Sequence, residues 1–226
     1  MVQKSKGPPA VASEQPKRRG RPRAYEPDVA LGKALDLFRT QGFAATSLDD
    51  LSEATGMNRP SLYGAFGDKR ELYIKSYQRY RDDARASMTE IFREEMPLRQ
   101  RLEGIFACAL NIYLSGETGP RGCFTVVTAA SEAVSDPDIR AMVLEGLSEL
   151  DKAFANCFRR AKEKGELPET ADPTVLAQLA SATVHTIAIR SRARVPRKEL
   201  EAIVKGAIDM MVGLESSRRP GDGRDP

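Results

Sequence analysis

From Leu31 to Leu72 the chain alternates short apolar runs at helical spacing with glycine stops and small polar starts. Leu31, Ala34, Leu35 and Phe38 recur at i, i+3, i+4 and i+7, one face of a first helix. Gly42 follows it, where the left-handed backbone of a helix end costs glycine least. Ser47 opens a second helix, with Asp50 three residues on in capping-box position and Leu48, Leu51 and Ala54 inside, and Gly56 stops it. Asn58 is a good N-cap for a third helix, and Pro60 sits in the first turn, where no backbone donor is needed. Leu62 and Phe66 face inward there, leaving Arg59, Ser61 and Tyr63 to face out. Gly67 ends that helix, and Asp68 with Glu71 caps a fourth, which the pattern carries to about Met96, before Pro97. Two helices this short, joined by a glycine-containing turn over residues 47–66, have the dimensions of a helix-turn-helix.

The remainder repeats the same style. Pro97, Gly116–Arg121, Asp136-Pro137, Gly165–Pro173 and Val195-Pro196 punctuate five further helical stretches, with no strand-like alternation of useful length. The fold class expected is therefore all-α, a small N-terminal helix-turn-helix domain joined to a larger helical one. Near the C-terminus, Leu200, Ile203, Val204, Ala207, Ile208, Met211 and Val212 make a continuous stripe, and Val175 to Ile189 is apolar on nearly every side. Helices that apolar need two partners, their own core and something else.

The net charge of +3 conceals an uneven distribution. Residues 1–27 hold seven basic against two acidic side chains, residues 28–85 are balanced, and residues 86–214 carry a small acidic surplus. A basic arm on a neutral body points to a polyanion contacted at one end. Residues 1–23 are rich in Pro, Gly, Lys and Arg and read as disordered, as does the tail 215–226. Arg19, Arg21 and Arg23 lie in a run whose Arg-Gly-Arg-Pro core resembles the minor-groove insert of AT-hook peptides; the other reading is a solvated basic tail.

Several function classes find no support. Cys108, Cys123 and Cys157 are odd in number and widely spaced, neither a disulfide framework nor a zinc motif, and they suit a reducing cytosol. No signal-peptide core and no 18-residue apolar run occurs, so neither export nor membrane insertion is expected, and a cytoplasmic, nucleoid-associated protein is. His185 stands alone and reads as a core or interface residue; no metal or cofactor is expected. The loop Gly116–Gly122 lacks the Lys-Ser/Thr ending of a phosphate cradle, and no residue set motivates catalysis.

Residues 24–84 also resemble the DNA-binding domain of the tetracycline-repressor (TetR) family of bacterial regulators. The resemblance is carried by Ala34-Leu35-Asp36-Leu37-Phe38, Gly42-Phe43-Ala44-Ala45-Thr46-Ser47 and Leu51-Ser52-Glu53-Ala54-Thr55-Gly56-Met57. It continues in Ser61-Leu62-Tyr63 and Phe66-Gly67-Asp68-Lys69-Arg70-Glu71-Leu72. It implies that Thr46 and Ser47 meet phosphate, that Asn58, Arg59, Pro60, Ser61 and Tyr63 form the recognition surface, and that Lys69 clamps phosphate from the fourth helix. Gly64-Ala65 depart from the family, which usually has aromatic or His residues there, so a contact made by relatives is missing.

The resemblance further implies that residues 85–214 sense a small-molecule effector and dimerise, the last two helices forming a four-helix bundle with those of the partner. Leu176, Leu179, Thr183, Ile187, Ile203, Ala207 and Met211 are the interface candidates. Phe106, Tyr113, Cys123, Phe124, Met142, Phe154 and Phe158 are the candidates to line an effector cavity, although side chains at such spacing also build ordinary cores. Cys123, after a flexible loop and at a helix start, reads either as a redox-responsive thiol or as a small core hydrophobe. The expected partners are palindromic double-stranded operator DNA, a second copy of the chain and an unidentified effector. Two rivals are a ligand-independent DNA-bound structural or adaptor protein on the same scaffold, and an enzyme.

Overall fold

The computed structural model describes residues 26–116 and 119–213. Arg19, Arg21, Arg23 and the tail 215–226 lie outside them. Among the described residues the elements are α1 (Pro27–Gln41), α2 (Leu48–Thr55), α3 (Arg59–Phe66), α4 (Lys69–Arg93) and α5 (Leu98–Leu114). After α5 come a π-helical turn (Thr125–Ala129) running into α6 (Ala130–Glu132), then α7 (Pro137–Glu163), α8 (Pro173–Arg192) and α9 (Arg197–Val212), with no strand.

The short helices start where their caps put them. Ser47 and Asp50 form a reciprocal capping box at α2, Asn58 accepts from the Ser61 N–H at α3, and Asp68 with Glu71 forms a second box at α4. Gly56 adopts the left-handed conformation (φ 71°, ψ 16°), which lets its N–H close the last turn of α2 on Ser52 and Glu53. With their ends satisfied, α1–α3 bury Phe38, Leu51, Leu62 and Phe66 against the first half of α4.

Rings continue this core into the larger half. Phe38 meets Tyr73 edge-on at 5.0 Å, and Tyr73, Tyr77 and Tyr80 meet Phe124 at 5.2, 5.3 and 5.8 Å. A fully buried Phe contributes about 1.5–3 kcal/mol by removal from water, so Phe124 fastens α4 to the segment behind it. Helix α4 thus belongs to both halves: it packs on α1 on one side and on α5 and α7 on the other.

Helices α5, α7, α8 and α9 form the larger bundle. Helix α8 buries small residues, Ala177, Ala180, Ser181, Ala188 and Ser191, and packs on α5, α7 and α9. A second aromatic cluster, Phe92, Phe106, Phe154 and Phe158, fills the centre, with Phe154 touching the other three rings.

Two expectations are corrected. Helix α4 ends at Arg93, three residues before Met96: the Arg101 guanidinium takes the Glu94 carbonyl, and Arg160 and Lys164 bind the Glu95 carboxylate, turning the chain early. Ile187 and Met211, expected at a subunit interface, are buried in the protomer's own core. Met211 misses the surface by one residue, about 100° of helix, whereas Ile187 lies between half-buried Thr186 and buried Ala188. On α8 the outward face carries Val175, Leu179, Ala182 and Ile189; on α9 it carries Gly206 and Met210, which is 88% exposed. Leu179 does lie on the exposed face, while Leu176, Thr183, Ile203 and Ala207 are half-buried at its edges.

Candidate nucleic-acid interface

The α2–α3 unit presents its polar side chains on one outer surface. Ser47, Asn58, Arg59, Pro60 and Tyr63 are exposed, Ser61 is half-buried, and Leu51, Met57, Leu62 and Phe66 anchor the unit from inside. Capping consumes only part of the polar capacity. The Ser47 hydroxyl accepts from the Asp50 N–H at 3.1 Å, which leaves its own proton to donate. The Asn58 carbonyl oxygen accepts from the Ser61 N–H at 2.9 Å, which leaves the amide N–H2 to donate. The hydrogen bonds from Ser47 hold the Asp50 carboxyl below its ordinary range, so the box stays ionised.

Arg59 is already engaged. Its Nε donates to Asp49 Oδ1 at 3.0 Å, and its Nη2 lies 2.7 Å from both Asp49 oxygens. Asp49 raises the guanidinium further above its ordinary value. Both side chains remain mostly exposed, 53% and 76%, so water can exchange this pair for another acceptor. Local periodicity gave no sign of it, because the two residues stand ten apart on different helices.

Thr46 is corrected. It is 1% exposed, and its hydroxyl donates to the Gly42 carbonyl at 2.6 Å, so it closes the α1–α2 turn instead of facing outward. Lys69 is half-buried, with its ammonium 4.4 Å over the Phe43 ring. Lys75, which the sequence did not single out, donates to the Phe66 carbonyl at 2.7 Å and satisfies the end of α3. A Cβ at Gly64 would meet nothing within 4 Å, so nothing replaces the side chain missing there.

Charged side chains couple this unit to the larger half. Arg70, at the start of α4, binds Asp136 through Nε and Nη2 at 2.5 and 2.9 Å and Asp138 at 2.6 Å. Arg70 and two backbone N–H groups at the α7 N-terminus hold the Asp136 carboxyl down at about 2. Arg192, ending α8, donates to the carbonyls of Arg39 and Thr40 at the end of α1, and Arg121 pairs with Asp36. Further along α4, Arg81 binds Glu145 and Glu149 at 2.8 and 3.0 Å.

The seven side chains expected around an effector cavity lie in the core or packed against it. Phe106, Phe154 and Phe158 stack in the central cluster, Phe124 packs on α4, Tyr113 and Cys123 are buried, and Met142 is half-buried. Neither of two openings, one between α5 and α9 and one between α1 and α4, is lined by any of the seven. Cys123 stands just before the π-helical turn, its thiol near the Tyr80 and Tyr113 hydroxyls; burial chiefly, and the thiol secondarily, push both tyrosines well above their ordinary value. His185 is half-buried, and burial lowers its pKa while Asp151 acts against that. Among the described residues no helix is long and apolar enough to cross a membrane.

Comparison with known proteins bears on both halves. The family model for bacterial regulatory proteins of the tetR family matches residues 30–75, and that for a tetracyclin repressor-like C-terminal domain matches residues 98–211. The HTH-type transcriptional repressor ComR of Escherichia coli (strain K12) is 32% identical over 177 residues, 78% of this chain and 84% of ComR. The HTH-type transcriptional repressor BdcR of the same strain is 30% identical over 135 residues, 60% of this chain and 66% of BdcR. Among solved structures, a cysteine mutant of the TetR family regulator CifR complexed with 26-bp operator DNA superposes with a TM-score of 0.75. It is 28% identical, and the match covers 85% of this chain and all of that one.

Proposed function

Because the chain belongs to the tetR family of bacterial transcriptional regulators, we propose that it is a homodimeric repressor that seats α3 in the major groove of a palindromic operator. The observation that carries this reading is the α2–α3 unit itself. It holds Asn58, Arg59, Pro60 and Tyr63 outward on a fully packed base, with donors left over after capping. The major groove shows a distinct donor and acceptor pattern for each base pair, and an exposed helix of this length fits it.

The roles follow from the chemistry at each position. Ser47 and Asn58 donate to phosphate oxygens at the starts of α2 and α3. Arg59 leaves Asp49 for a phosphate or a guanine edge, and Tyr63 packs on a thymine methyl or bonds a phosphate. Pro60 and Ser61 shape the first turn that enters the groove. Lys69 clamps phosphate from the start of α4, and Arg19, Arg21 and Arg23 reach the adjacent minor groove. The working division is an arm at 1–23, a DNA unit at 24–84, a regulatory and dimerisation unit at 85–214 and a tail at 215–226. The protein acts in the cytoplasm, on the nucleoid.

Two such units read two half-sites if the exposed apolar faces of α8 and α9 pair across a two-fold axis. An effector that favours one arrangement of the halves would change the spacing of the two α3 helices, with α4 and its Arg70–Asp136 contact transmitting the change. The burial of six of the seven expected pocket residues favours a second reading, a regulator that uses no ligand at that place.

The test is a salt-titrated footprint on the DNA flanking the gene. A protected palindrome with dimer stoichiometry supports the repressor reading. Salt-sensitive binding with no footprint would favour an architectural role, and no binding at all would sink the reading.

A further inference from the structure

A cleft of about 330 Å³ opens between α1 and the second half of α4, closed at its back by the end of α5. Its floor is Leu35, Arg39 and Tyr80, all buried, and Asp83, Ser87 and Ser115 form an exposed rim. This volume lies at the low end of small-molecule sites and is roughly ten times the ~30 Å³ share of one water.

The charges in the cleft do not cancel. Three arginines and two aspartates line it. Arg121 is paired with Asp36, and Arg79 lies 3.6 Å from Asp83. Arg39, 6% exposed, forms no ion pair among the described residues, and Asp36, one turn earlier and held by Arg121, acts on it only at a distance. Its Nη2 donates to the carbonyls of Ile112 and Gly122 at 3.1 and 2.8 Å, and its guanidinium lies 5.0 Å over the Tyr80 ring. Nε is buried with no acceptor. Burial pulls this guanidinium below its ordinary value, yet arginine stays protonated in proteins. Carbonyl dipoles, a ring face and a carboxylate already held by Arg121 therefore offset a buried cation that has no carboxylate of its own, an arrangement that is costly unless something supplies one.

We propose that this cleft binds a small organic carboxylate, the carboxylate set against Arg39 and the apolar body on Leu35, Ile112 and the Tyr80 ring. One negative charge neutralises the cleft, whereas a phosphate dianion would overshoot; Leu35 and Ile112 give a carbon skeleton a surface that an inorganic ion would leave dry and unused. The site differs from the packed aromatic interior, and it lies on the seam between the two halves. Arg39 is on α1, whereas Ile112 and Gly122 belong to the larger half, so occupancy ties α1 to the end of α5. Only that regulatory consequence rests on the repressor reading; the binding does not.

The experiment is calorimetric titration of the DNA-free protein with acetate and benzoate, with benzamide as the uncharged isostere of benzoate. Saturable binding of a carboxylate with none of benzamide is expected, at least tenfold weaker in Arg39→Gln. Because Arg39 also braces α1, Ser87→Phe, which blocks the exposed rim, is the second variant; it should abolish binding with an unchanged melting curve. No saturable uptake of either carboxylate, benzamide binding as tightly as benzoate, or full affinity in Ser87→Phe would each overturn the proposal. With no DNA present, such a failure leaves the operator footprint standing, and a missing footprint leaves the cleft standing.

Discussion

Arg59 and Asp49 form a two-pronged ion pair across the α2–α3 turn, with Nε and Nη2 at 3.0 and 2.7 Å from one carboxylate oxygen. The side chain best suited to a guanine edge is thus held, before any DNA arrives, by a carboxylate on the neighbouring helix. That fixes its direction and also sets a competitor that DNA must displace. Arg59→Ala should lower operator affinity about 5- to 150-fold and relax specificity at one base position. Asp49→Asn should raise affinity for random DNA and steepen the salt dependence by about one phosphate's worth. Fluorescence anisotropy across a salt series reads both, and an Asp49→Asn protein with unchanged slope would contradict the competitor role.

Gly64 sits inside α3 with open space where its side chain would be. Glycine in a helix interior costs about 0.5–1 kcal/mol relative to alanine, so Gly64→Ala should stabilise the protein by that amount in urea. If the glycine is there to let α3 approach the groove, operator affinity falls while stability rises. A variant that gains both would show that the glycine has no role in docking.

Asp136 ties α7 to Arg70 at the start of α4, with its carboxyl held at about 2. A carboxylate whose folded pKa lies below its unfolded value contributes stability above the unfolded value of about 3.9, lost as pH falls toward 2. The melting midpoint should therefore drop between about pH 4 and pH 2 more in the parent than in Asp136→Asn. The variant should also melt lower at neutral pH. Parallel pH profiles for the two proteins would refute the contact as a source of stability.

Leu179 and Ile187 lie eight residues apart on α8, but Leu179 is 52% exposed and Ile187 is fully buried. Leu179→Glu should leave a folded monomer by sedimentation, because it charges the face assigned to the partner. Ile187→Glu should unfold the protomer, because a buried charge with no partner is strongly destabilising. A Leu179→Glu protein that stays dimeric would remove α8 from the interface.

Phe154 touches Phe92, Phe106 and Phe158 and is fully buried. Phe154→Ala should cost about 3–5 kcal/mol in denaturant unfolding, the range for a large ring deleted from a packed core. A cost near zero would mean that the cluster borders adaptable space instead of a filled core.

The α1–α4 half was legible in the sequence because its signals are local. Ser47 with Asp50, Asn58 before Arg59-Pro60, Asp68 with Glu71 and the glycines at 42, 56 and 67 each act within four residues. Hydrogen bonds of that reach form wherever those residues occur in that order, so helix starts and stops could be read directly. Other features depended on which surfaces meet. Helix α8 is apolar on nearly every side and α9 carries a broad apolar stripe, so periodicity could not say which residues their own core would take, and Ile187 and Met211 were assigned outward although both are buried. Thr46 reads as a polar residue at a helix start, yet the turn from α1 rolls it inward onto Gly42. The Arg59–Asp49 pair, the Arg70–Asp136 contact and the unpaired charge of Arg39 join residues from different elements. Their energies come from distance and burial, which only the packed chain defines. Sequence by itself determined the helices, their caps and the outward-facing recognition surface; the tertiary structure decided which charges found partners and which apolar faces stayed open.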